Sequence, residues 1–358
     1  MTRPVFVGAA PWVATTVTEQ KYGLFRNDGH GHGDGNGNGE WQAVTRGLPE
    51  QVQIRALTAN PHDADTLYAA TQKGPFRSTD AGQSWTSLGL NDTDATWSIT
   101  VHPADPKILY VGTVDARVYR SVDGGASWSP FTMSMPEGAC LMGFPTRMLR
   151  IAVDPSNPQE IYAALEVGGL VRSLDDGHSW TSCNADLLRL ASIDRYKSCI
   201  SSDTDTEGMM DSHALLVSRA RPGTVFLANR MGVFRSSDRG ESWQDVDIGR
   251  FSPLTYTRDI CVSPHDANTL LGAFSGAAVS DEGSLYRSTD LGESWQQFDR
   301  NVAMNSTLMT IAASASSAQR VYCAARRGQV FGTEDGGESW TQSTLPPGVE
   351  GVYAVLCL

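Results

Sequence analysis

The feature that most constrains the fold of this chain is a short motif that recurs six times. Its consensus is Ser/Thr-x-Asp-x-Gly-x-Ser-Trp, as in RSTDAGQSW at 77–85 and RSSDRGESW at 235–243. The motif aspartates are 43 to 63 residues apart: Asp80, Asp123, Asp175, Asp238, Asp290 and Asp335. Repeats at such intervals are typical of folds in which each repeat is one supersecondary unit that packs against its neighbours.

The chemistry of the motif is that of a turn. An Asp carboxylate accepts backbone N–H groups within its own turn, and the Gly supplies a positive φ. The Trp provides a large apolar face that covers the hairpin. We therefore interpret the six motif aspartates as structural and not as catalytic.

The sequence around each motif predicts four strands per repeat. A strand such as TLYAAT (66–71) or RVYCAA (320–325) precedes the motif, and an earlier strand ends in a turn, as in IRALTANPHDAD (54–65). A short polar strand follows the motif. Naming these strands A to D places the motif at the C–D hairpin.

These repeats resemble the Asp-box, or BNR, repeats of sialidases, sortilin-type receptors, xyloglucan-cleaving glycosidases and photosystem II assembly factors. The resemblance implies a β-propeller. It says little about function, which depends on the site that a particular chain carries.

The two ends of the chain supply the halves of one further repeat. PVFVGAA (4–10) reads as a B strand without its A strand, and GVYAVLCL (351–358) as an A strand without its B strand. Together they complete a blade, and such closure removes free sheet edges. The predicted fold is a single all-β domain over 1–358, a seven-bladed propeller of four-stranded blades.

The stretch NDGHGHGDGNGNGEW (27–41) matches a seventh, degenerate motif with a Gly-rich insertion at 29–39. A flexible insertion is the simpler interpretation. A divalent-metal site that uses His30, His32 and Asp34 is the alternative, although ordering so many glycines costs conformational entropy. No other cofactor is indicated.

Charge and cysteine usage restrict the possible partners. The formal net charge is −12, which disfavours a nucleic-acid partner. No apolar run is long enough for a membrane helix, and the N-terminus is a poor signal peptide, so a cytoplasmic location is expected. The six cysteines form no CxxC pair and are expected to be reduced, with a bridge among Cys140, Cys183 and Cys199 left open.

In propellers that resemble this one, the B–C and D–A loops share one face, here called the top face, and the enzymes' sites lie at its centre. The predicted D–A connections at 131–147 and 184–212 are long, and the B–C loop at 274–284 is also extended. Loops of this length in a compact fold are usually functional lids or disordered.

Two tryptophans lie outside the motifs, and both map to the top face. Trp12 falls in the first B–C loop and Trp97 at the start of an A strand. They either plug the rim of the channel or form a stacking platform for a sugar or aromatic ligand.

Three arginines, Arg55, Arg147 and Arg258, stand at A-strand starts in three blades. Guanidinium groups aimed at a common centre suit a carboxylate, sulfate or phosphate. The resemblance to sialidases, which use three arginines on a substrate carboxylate, supports this interpretation, but the Phe/Tyr-Arg-Ile-Pro segment of sialidases is absent. The alternative is that these arginines form rim salt bridges with acids such as Asp92, Asp94, Asp211 or Asp259.

The candidate catalytic residues are His213, Tyr256, Asp259 and Tyr353. His213 opens an A strand and could serve as a base or a ligand, and both tyrosines lie at A-strand starts, with Glu350 near Tyr353. Met309 joins the predicted substrate contacts. Glycoside hydrolysis requires two carboxylates that face each other across the bond, and the sequence offers too many top-face acids to select a pair.

Two functions follow from this sequence. In the first, a top-face pocket acts on or binds an anionic or glycosidic small molecule, as a glycosidase-like hydrolase. In the second, the top face binds a protein or a glycan without chemistry, as in the receptors and assembly factors that the chain resembles.

Overall fold

The computed structural model describes residues 3–12, 17–29, 40–90 and 95–358. Its strands β1 to β28 form seven four-stranded antiparallel sheets, and each sheet is one blade of a closed ring. The predicted all-β, seven-bladed propeller is therefore confirmed.

Blade 1 contains β28 and β1–β3, and blades 2 to 7 take four consecutive strands each, from β4–β7 to β24–β27. The A strands are β28 (Val352–Cys357), β4 (Ile54–Asn60), β8 (Thr96–Val101), β12 (Met148–Val153), β16 (Ser212–Val217), β20 (Tyr256–Val262) and β24 (Leu308–Ala313). The B strands are β1 (Val5–Ala9), β5 (Asp63–Thr71), β9 (Leu109–Thr113), β13 (Ile161–Leu165), β17 (Val225–Asn229), β21 (Leu270–Ser275) and β25 (Val321–Ala325).

The C strands carry the start of each motif: β2 (Gly23–Asn27), β6 (Gly74–Ser78), β10 (Val118–Ser121), β14 (Gly169–Ser173), β18 (Gly232–Ser236), β22 (Gly283–Ser288) and β26 (Gln329–Thr333). The D strands are short: β3 (Gln42–Val44), β7 (Thr86–Ser87), β11 (Ser129–Pro130), β15 (Thr181–Ser182), β19 (Gln244–Asp245), β23 (Gln296–Gln297) and β27 (Thr341–Thr344). The long 184–212 connection carries helices α1 (Asn184–Ala191) and α2 (Glu207–Met210), and single 3₁₀ turns occupy Asp194–Tyr196 and Ile248–Arg250.

The ring closes through the two ends of the chain, as the sequence predicts. β1 pairs with β2 on one side and with β28 on the other, with Val7 opposite both Phe25 and Val355. All five residues of β1 are buried, and Phe6 is fully buried against the neighbouring blade. Burial of this apolar strand makes the closure a source of stability.

Each complete motif forms the predicted turn. In blade 2, Asp80 accepts hydrogen bonds from the Ser84 amide (2.9 Å), the Ser84 hydroxyl (2.5 Å) and the Ser78 hydroxyl (2.7 Å). The other five motifs repeat the amide contact at 2.8–2.9 Å. Burial alone would raise the pKa of Asp80, but the hydrogen bonds from Ser84 and Ser78 lower it to about 2.

The degenerate motif of blade 1 differs from the others. β2 and β3 pair as a C–D hairpin, with Arg26 opposite Gln42, and Asp28 forms an ion pair with Arg26 at 2.7 Å. The proposed metal ligands His30, His32 and Asp34 lie outside the described residues.

The cysteines are all free thiols, as expected for reduced residues, and the alternative bridge is not formed. Cys140 and Cys183 are buried, whereas Cys199 is exposed. None of the helices in the described part of the chain is long and apolar enough to cross a membrane.

Candidate functional site

A recurring backbone irregularity places one side chain per blade at the central, top end of the ring. Near its start, each A strand contains a β-bulge, at which one residue has no partner on the B strand. Bulges redirect side chains and are common beside functional sites. The seven bulge residues are Arg55, Trp97, Leu149, His213, Arg258, Met309 and Tyr353.

Six of these seven bulge residues are predicted site residues. In blade 4 the bulge residue is the buried Leu149, and the predicted Arg147 lies two positions earlier, bridged to Val114 of blade 3. The Arg147 side chain nevertheless reaches the same cluster, because its guanidinium carbon lies 4.4 Å from the centroid of the Trp97 ring.

Trp97 supports the arginines of the cluster. The guanidinium carbon of Arg55 lies 4.1 Å from its ring centroid, Arg147 also contacts it, and Tyr353 meets it edge-on at 6.1 Å. The residue is 8% exposed. Arginines cover the ring and little of it meets solvent, which favours the plug of the rim over the stacking platform, and both stay predictions.

Trp12 completes an aromatic row across the top face. Its ring lies 5.9 Å from that of Tyr353, and its backbone is held by Gln20 through hydrogen bonds of 2.7 and 2.9 Å. The guanidinium of Arg326, which is paired with Glu350 at 2.9 Å, lies 5.6 Å from the Trp12 centroid. Glu350, which lies near Tyr353 in the sequence, is thus engaged by an arginine.

Arg55 has hydrogen-bond donors without a partner, and Arg258 has no carboxylate partner in the described residues. Arg55 donates one hydrogen bond to Gln53 at 2.6 Å, but its Nε and Nη1 are buried without a partner. Burial and the neighbouring Arg147 lower the pKa of Arg55 to about 10, which leaves it charged at neutral pH. Arg258 is half-buried, donates a hydrogen bond to the Tyr256 hydroxyl, and forms no ion pair with any carboxylate of the described residues.

Among the described residues, Arg147 is the one of the three arginines that forms a salt bridge, and its partner is not one of the four predicted acids. Arg147 forms an ion pair with Glu166, in which Nη1 of the arginine lies 3.0 Å from Oε1 and 2.9 Å from Oε2 of the carboxylate. Within the described ranges neither Asp211 nor Asp259 pairs with Arg55 or Arg258, and Asp92 and Asp94 lie outside those ranges.

Two carboxylates beside the arginines have pKa values shifted in opposite directions. Burial raises the pKa of Glu166 above its ordinary value, against the opposing effect of Arg147. Burial also acts on Asp211, but His213 and Arg230 outweigh it and lower the pKa of Asp211. Asp211 lies 3.3 Å from His213 and 2.9 Å from Arg230.

The contacts of His213 place a hydrogen-bond donor at Nδ1. Nδ1 donates to the carbonyl of Thr257 at 2.8 Å, and burial lowers the pKa of the ring. Nε2 lies 3.5 Å from the Tyr256 hydroxyl and 3.3 Å from the Asp211 carboxylate. No group of three His, Cys, Asp or Glu side chains suited to a metal occurs in the described residues, so no metal centre is seen around His213.

Asp259 lies in the wall of the axial channel. A cavity of about 180 Å³ extends from Arg55 and Tyr353 along the A strands to Asp259 and Arg150. The Asp259 carboxylate accepts the Ile311 amide of blade 7 at 2.9 Å and lies 3.8 Å from Arg150. Asp259, a predicted catalytic residue, thus connects blade 6 to blade 7 through this hydrogen bond. Met309 is 3% exposed and is the bulge residue of blade 7.

Sequence reasoning missed the network that supports Asp211. Glu207 is fully buried and accepts the successive amides of 200–202 at 2.7–3.0 Å, and Arg230 bridges Glu207 to Asp211 with 2.9 Å contacts. These hydrogen bonds lower the pKa of Glu207 to about 2, although burial opposes them. The 184–212 segment has no counterpart in the other repeats, so the sequence held no pattern that could identify this network.

Comparison with known proteins gives sequence relatives that are glycosidases. No protein-family model matches the chain. A probable oligoxyloglucan-reducing end-specific xyloglucanase of Neosartorya fischeri is 26% identical over 205 residues, which are 55% of this chain and 23% of that protein. A xyloglucanase of Paenibacillus sp is 30% identical over 150 residues, 36% of this chain and 14% of that protein. The chain therefore spans about a quarter or less of the length of these relatives.

Solved structures with the same fold include enzymes and a peptide-binding protein. The GH74 xyloglucanase from Xanthomonas campestris superimposes with a TM-score of 0.64 at 18% identity, over 85% of this chain and 46% of that one. YCF48 from Cyanidioschyzon merolae gives 0.59 at 14% identity, over 87% and 90%. A structure of YCF48 bound to D1 peptide gives 0.52 at 15% identity, over 83% and 82%.

At these identities the structural matches establish the fold. The chain is a seven-bladed β-propeller that has xyloglucanases among its sequence relatives and GH74 enzymes and YCF48 among its structural neighbours, consistent with the Asp-box propeller superfamily.

Proposed function

We propose that the centre of the top face binds the carboxylate of an acidic saccharide. The observation that carries this proposal is the pair Arg55 and Arg258, one with two buried, unpartnered donors and the other without a carboxylate partner in the described structure. Together with Arg147 they place three guanidinium groups around Glu166, in a protein whose net charge is −12. A carboxylate ligand supplies acceptors for the unpartnered donors of Arg55 and a counter-charge for Arg258.

The surroundings of these arginines support ligand binding. Tyr353 lines the cavity beside Arg55, and its hydroxyl can donate to a ligand, since burial raises its pKa and keeps it protonated. The saccharide part of the proposal rests on the xyloglucanase relatives, and the acidic part rests on the arginines of this chain.

Hydrolysis of a glycosidic bond is the second candidate function. Glu166 and Asp211 are two neighbouring carboxylates with pKa values displaced upward and downward. This is the arrangement expected of a general acid and of its ionised partner. Each is also held by an arginine, Glu166 by Arg147 and Asp211 by Arg230, so catalysis would require the ligand to displace part of these ion pairs.

Calorimetric titration with a uronic acid and with its neutral parent sugar tests the binding proposal. We expect the acid to bind and the neutral sugar to bind at least tenfold more weakly. Arg258→Gln should weaken binding of the acid roughly 100-fold, because it removes two charge-assisted hydrogen bonds worth together about 3 kcal/mol. Arg235→Gln, on the opposite face, is the matched control and should leave the affinity unchanged.

Turnover of chromogenic uronides tests the hydrolytic candidate. Asp211→Asn and Glu166→Gln should each abolish turnover while the acidic sugar still binds. If wild-type protein binds uronic acids without turnover, the site is a binding site alone. If a peptide with a free C-terminal carboxylate binds more tightly than any sugar acid, the ligand class is a peptide and the saccharide proposal fails. The cytoplasmic location expected from the sequence stays a prediction.

A further inference from the structure

A second set of arginines, on the outer face of the blades, behaves differently in one blade. An arginine precedes the motif at the same C-strand position in blades 1 to 6, and in blades 1 to 5 its guanidinium contacts the motif loop of the next blade. The contacts join Arg26 to the carbonyl of Ala81 (3.1 Å), Arg77 to the carbonyl of Gly124 (3.3 Å), Arg120 to the carboxylate of Asp176 (2.9 Å), Arg172 to the carboxylate of Glu241, and Arg235 to the carboxylate of Glu293 (2.5 Å).

Arg287 of blade 6 departs from this series. The corresponding acceptor in blade 7 is Glu338, which occupies the motif position of Glu293 and Glu241. Among the described residues Arg287 forms no ion pair with Glu338, and its guanidinium carbon lies 4.5 Å from the centroid of the Phe298 ring. Phe298 is itself fixed beneath the motif of blade 7, where a Cβ on Gly337 would lie 2.3 Å from its ring.

An open groove lies where the contact of Arg287 would otherwise be. It has a volume of about 360 Å³, within the range of small-molecule pockets, and Arg287, Arg300, Gln296 and Asn301 line it opposite Glu338. Arg300 is exposed and, like Arg287, has no carboxylate partner in the described part of the chain. The groove therefore combines two available guanidinium groups with exposed side-chain amides.

We propose that this groove between blades 6 and 7 is a second ligand site, which binds a small oxyanion group, a carboxylate, sulfate or phosphate, between Arg287 and Arg300. Two forked guanidinium groups match the oxygens of such a group, and the amides of Gln296 and Asn301 supply neutral donors. Phe298 positions Arg287 for the ligand, since a guanidinium stacked on a ring keeps its in-plane N–H donors free. Glu338 weakens binding, because its carboxylate repels the ligand.

The groove between blades 2 and 3 offers a matched control within the same molecule. It has a similar volume, about 390 Å³, and the equivalent Arg77 lines it. There the guanidinium already donates to the Gly124 carbonyl, and none of the other lining residues is a second arginine. The two grooves thus differ in the availability of their arginines and much less in size.

Titration with inorganic sulfate, followed by NMR at the Gly336 and Gly337 amides, tests the site. The experiment uses the Arg258→Gln protein, so that the top-face centre does not contribute. We expect saturable shifts at these amides, at least tenfold weaker binding in Arg287→Gln and Arg300→Gln, severalfold tighter binding in Glu338→Gln, and no change in Arg77→Gln. Parallel titrations with inorganic phosphate and acetate identify which oxyanion the groove prefers.

Three results would overturn the proposal. Absence of saturable shifts with sulfate, phosphate and acetate would show that the groove has no oxyanion site. An equal loss of affinity in Arg77→Gln and Arg287→Gln would show non-specific attraction. A double-mutant cycle in which Arg287 and Glu338 couple as strongly as Arg235 and Glu293 would show that the groove is closed by an ion pair in solution.

Discussion

Removal of the Asp238 carboxylate should destabilise the whole ring, because the motif of blade 5 holds a buried tryptophan in place. Asp238 accepts hydrogen bonds from the Ser236 hydroxyl (2.7 Å), the Ser242 amide (2.9 Å) and the Ser242 hydroxyl (2.5 Å). The next residue, Trp243, is 2% exposed and donates to the carbonyl of Cys183 at 3.1 Å. Loss of the turn therefore disturbs the apolar core between blades 4 and 5.

The magnitude follows from which partners lose their bonds. Ser236 is fully buried and its hydroxyl hydrogen would lose its acceptor, although the oxygen still accepts the Gly240 amide, whereas Ser242 is exposed and can bond to water instead. A buried hydroxyl without an acceptor, together with the lost hydrogen bonds to the charged carboxylate, should lower the free energy of unfolding by about 2–3 kcal/mol. With an unfolding entropy of about 2.1 cal/mol/K per residue, a chain of this length should show a fall in Tm of roughly 3–4 °C for Asp238→Ala.

Thermal and urea unfolding followed by tryptophan fluorescence measure this change. Asp123→Ala is the matched control: its motif loses the same hydrogen bonds, with Ser121 buried as Ser236 is, but Trp128 is only half-buried where Trp243 is buried, so the loss of core packing and the fall in Tm should be smaller. Burial would raise the pKa of Asp238, but hydrogen bonds from Ser242 and Ser236 lower it below its ordinary value. Its contribution is therefore present above the unfolded pKa of about 3.9 and is lost as the pH falls through the lowered value. A Tm within 1 °C of wild type for Asp238→Ala, or a larger fall for Asp123→Ala, would refute the reasoning.

Two further predictions test the closure of the ring and the state of the central histidine. Phe6→Ala should lower the free energy of unfolding by about 3–5 kcal/mol in urea, because Phe6 is fully buried in the strand that joins the two ends of the chain, and a loss below 1 kcal/mol would contradict this role. Burial lowers the pKa of His213 below its unfolded value of about 6.5. The contribution of His213 to the free energy of unfolding should therefore be fully present above that pH and should decrease as the solution is acidified from pH 7 towards 5. His213→Gln should flatten this part of the Tm–pH curve, and an unchanged slope would contradict the assignment.

The fold could be predicted from the sequence because local chemistry repeats. The Asp, Gly and Trp of each motif specify the same hairpin wherever they occur, as Asp80 and its five counterparts show. Closure was predictable from two half-blades, since the first repeat lacks an A strand and the last strand lacks a B strand, and Val7 and Val355 pair where the two halves meet. Neither inference depends on how distant side chains meet.

The centre of the site was predictable in position but not in detail. The start of each A strand points to the ring of bulge residues, and Arg55, Trp97 and Arg258 follow from that rule. The sequence does not show that Arg55 and Arg147 cover the Trp97 ring, because that contact joins blades 2, 3 and 4. Only the packed structure decides whether such a tryptophan faces a ligand or an arginine.

Two networks were not predicted, for different reasons. Glu207 and Arg230 lie in and beside a segment with no counterpart in other blades, so no internal comparison was possible. The arginine before each motif is visible in the sequence as RS in five of the six complete motifs, Arg287 included. Its contact with the next blade was missed because the sequence of one blade does not show which loop of its neighbour lies within reach.

The most direct test of the account is a crystal structure of the protein soaked with the sugar acid that binds best in solution. We expect the sugar carboxylate to lie within hydrogen-bond distance of the guanidinium groups of Arg55 and Arg258, beside Tyr353 at the centre of the top face. A sugar bound at the Arg287 groove alone, or bound at the centre with its carboxylate turned away from these arginines, would contradict it.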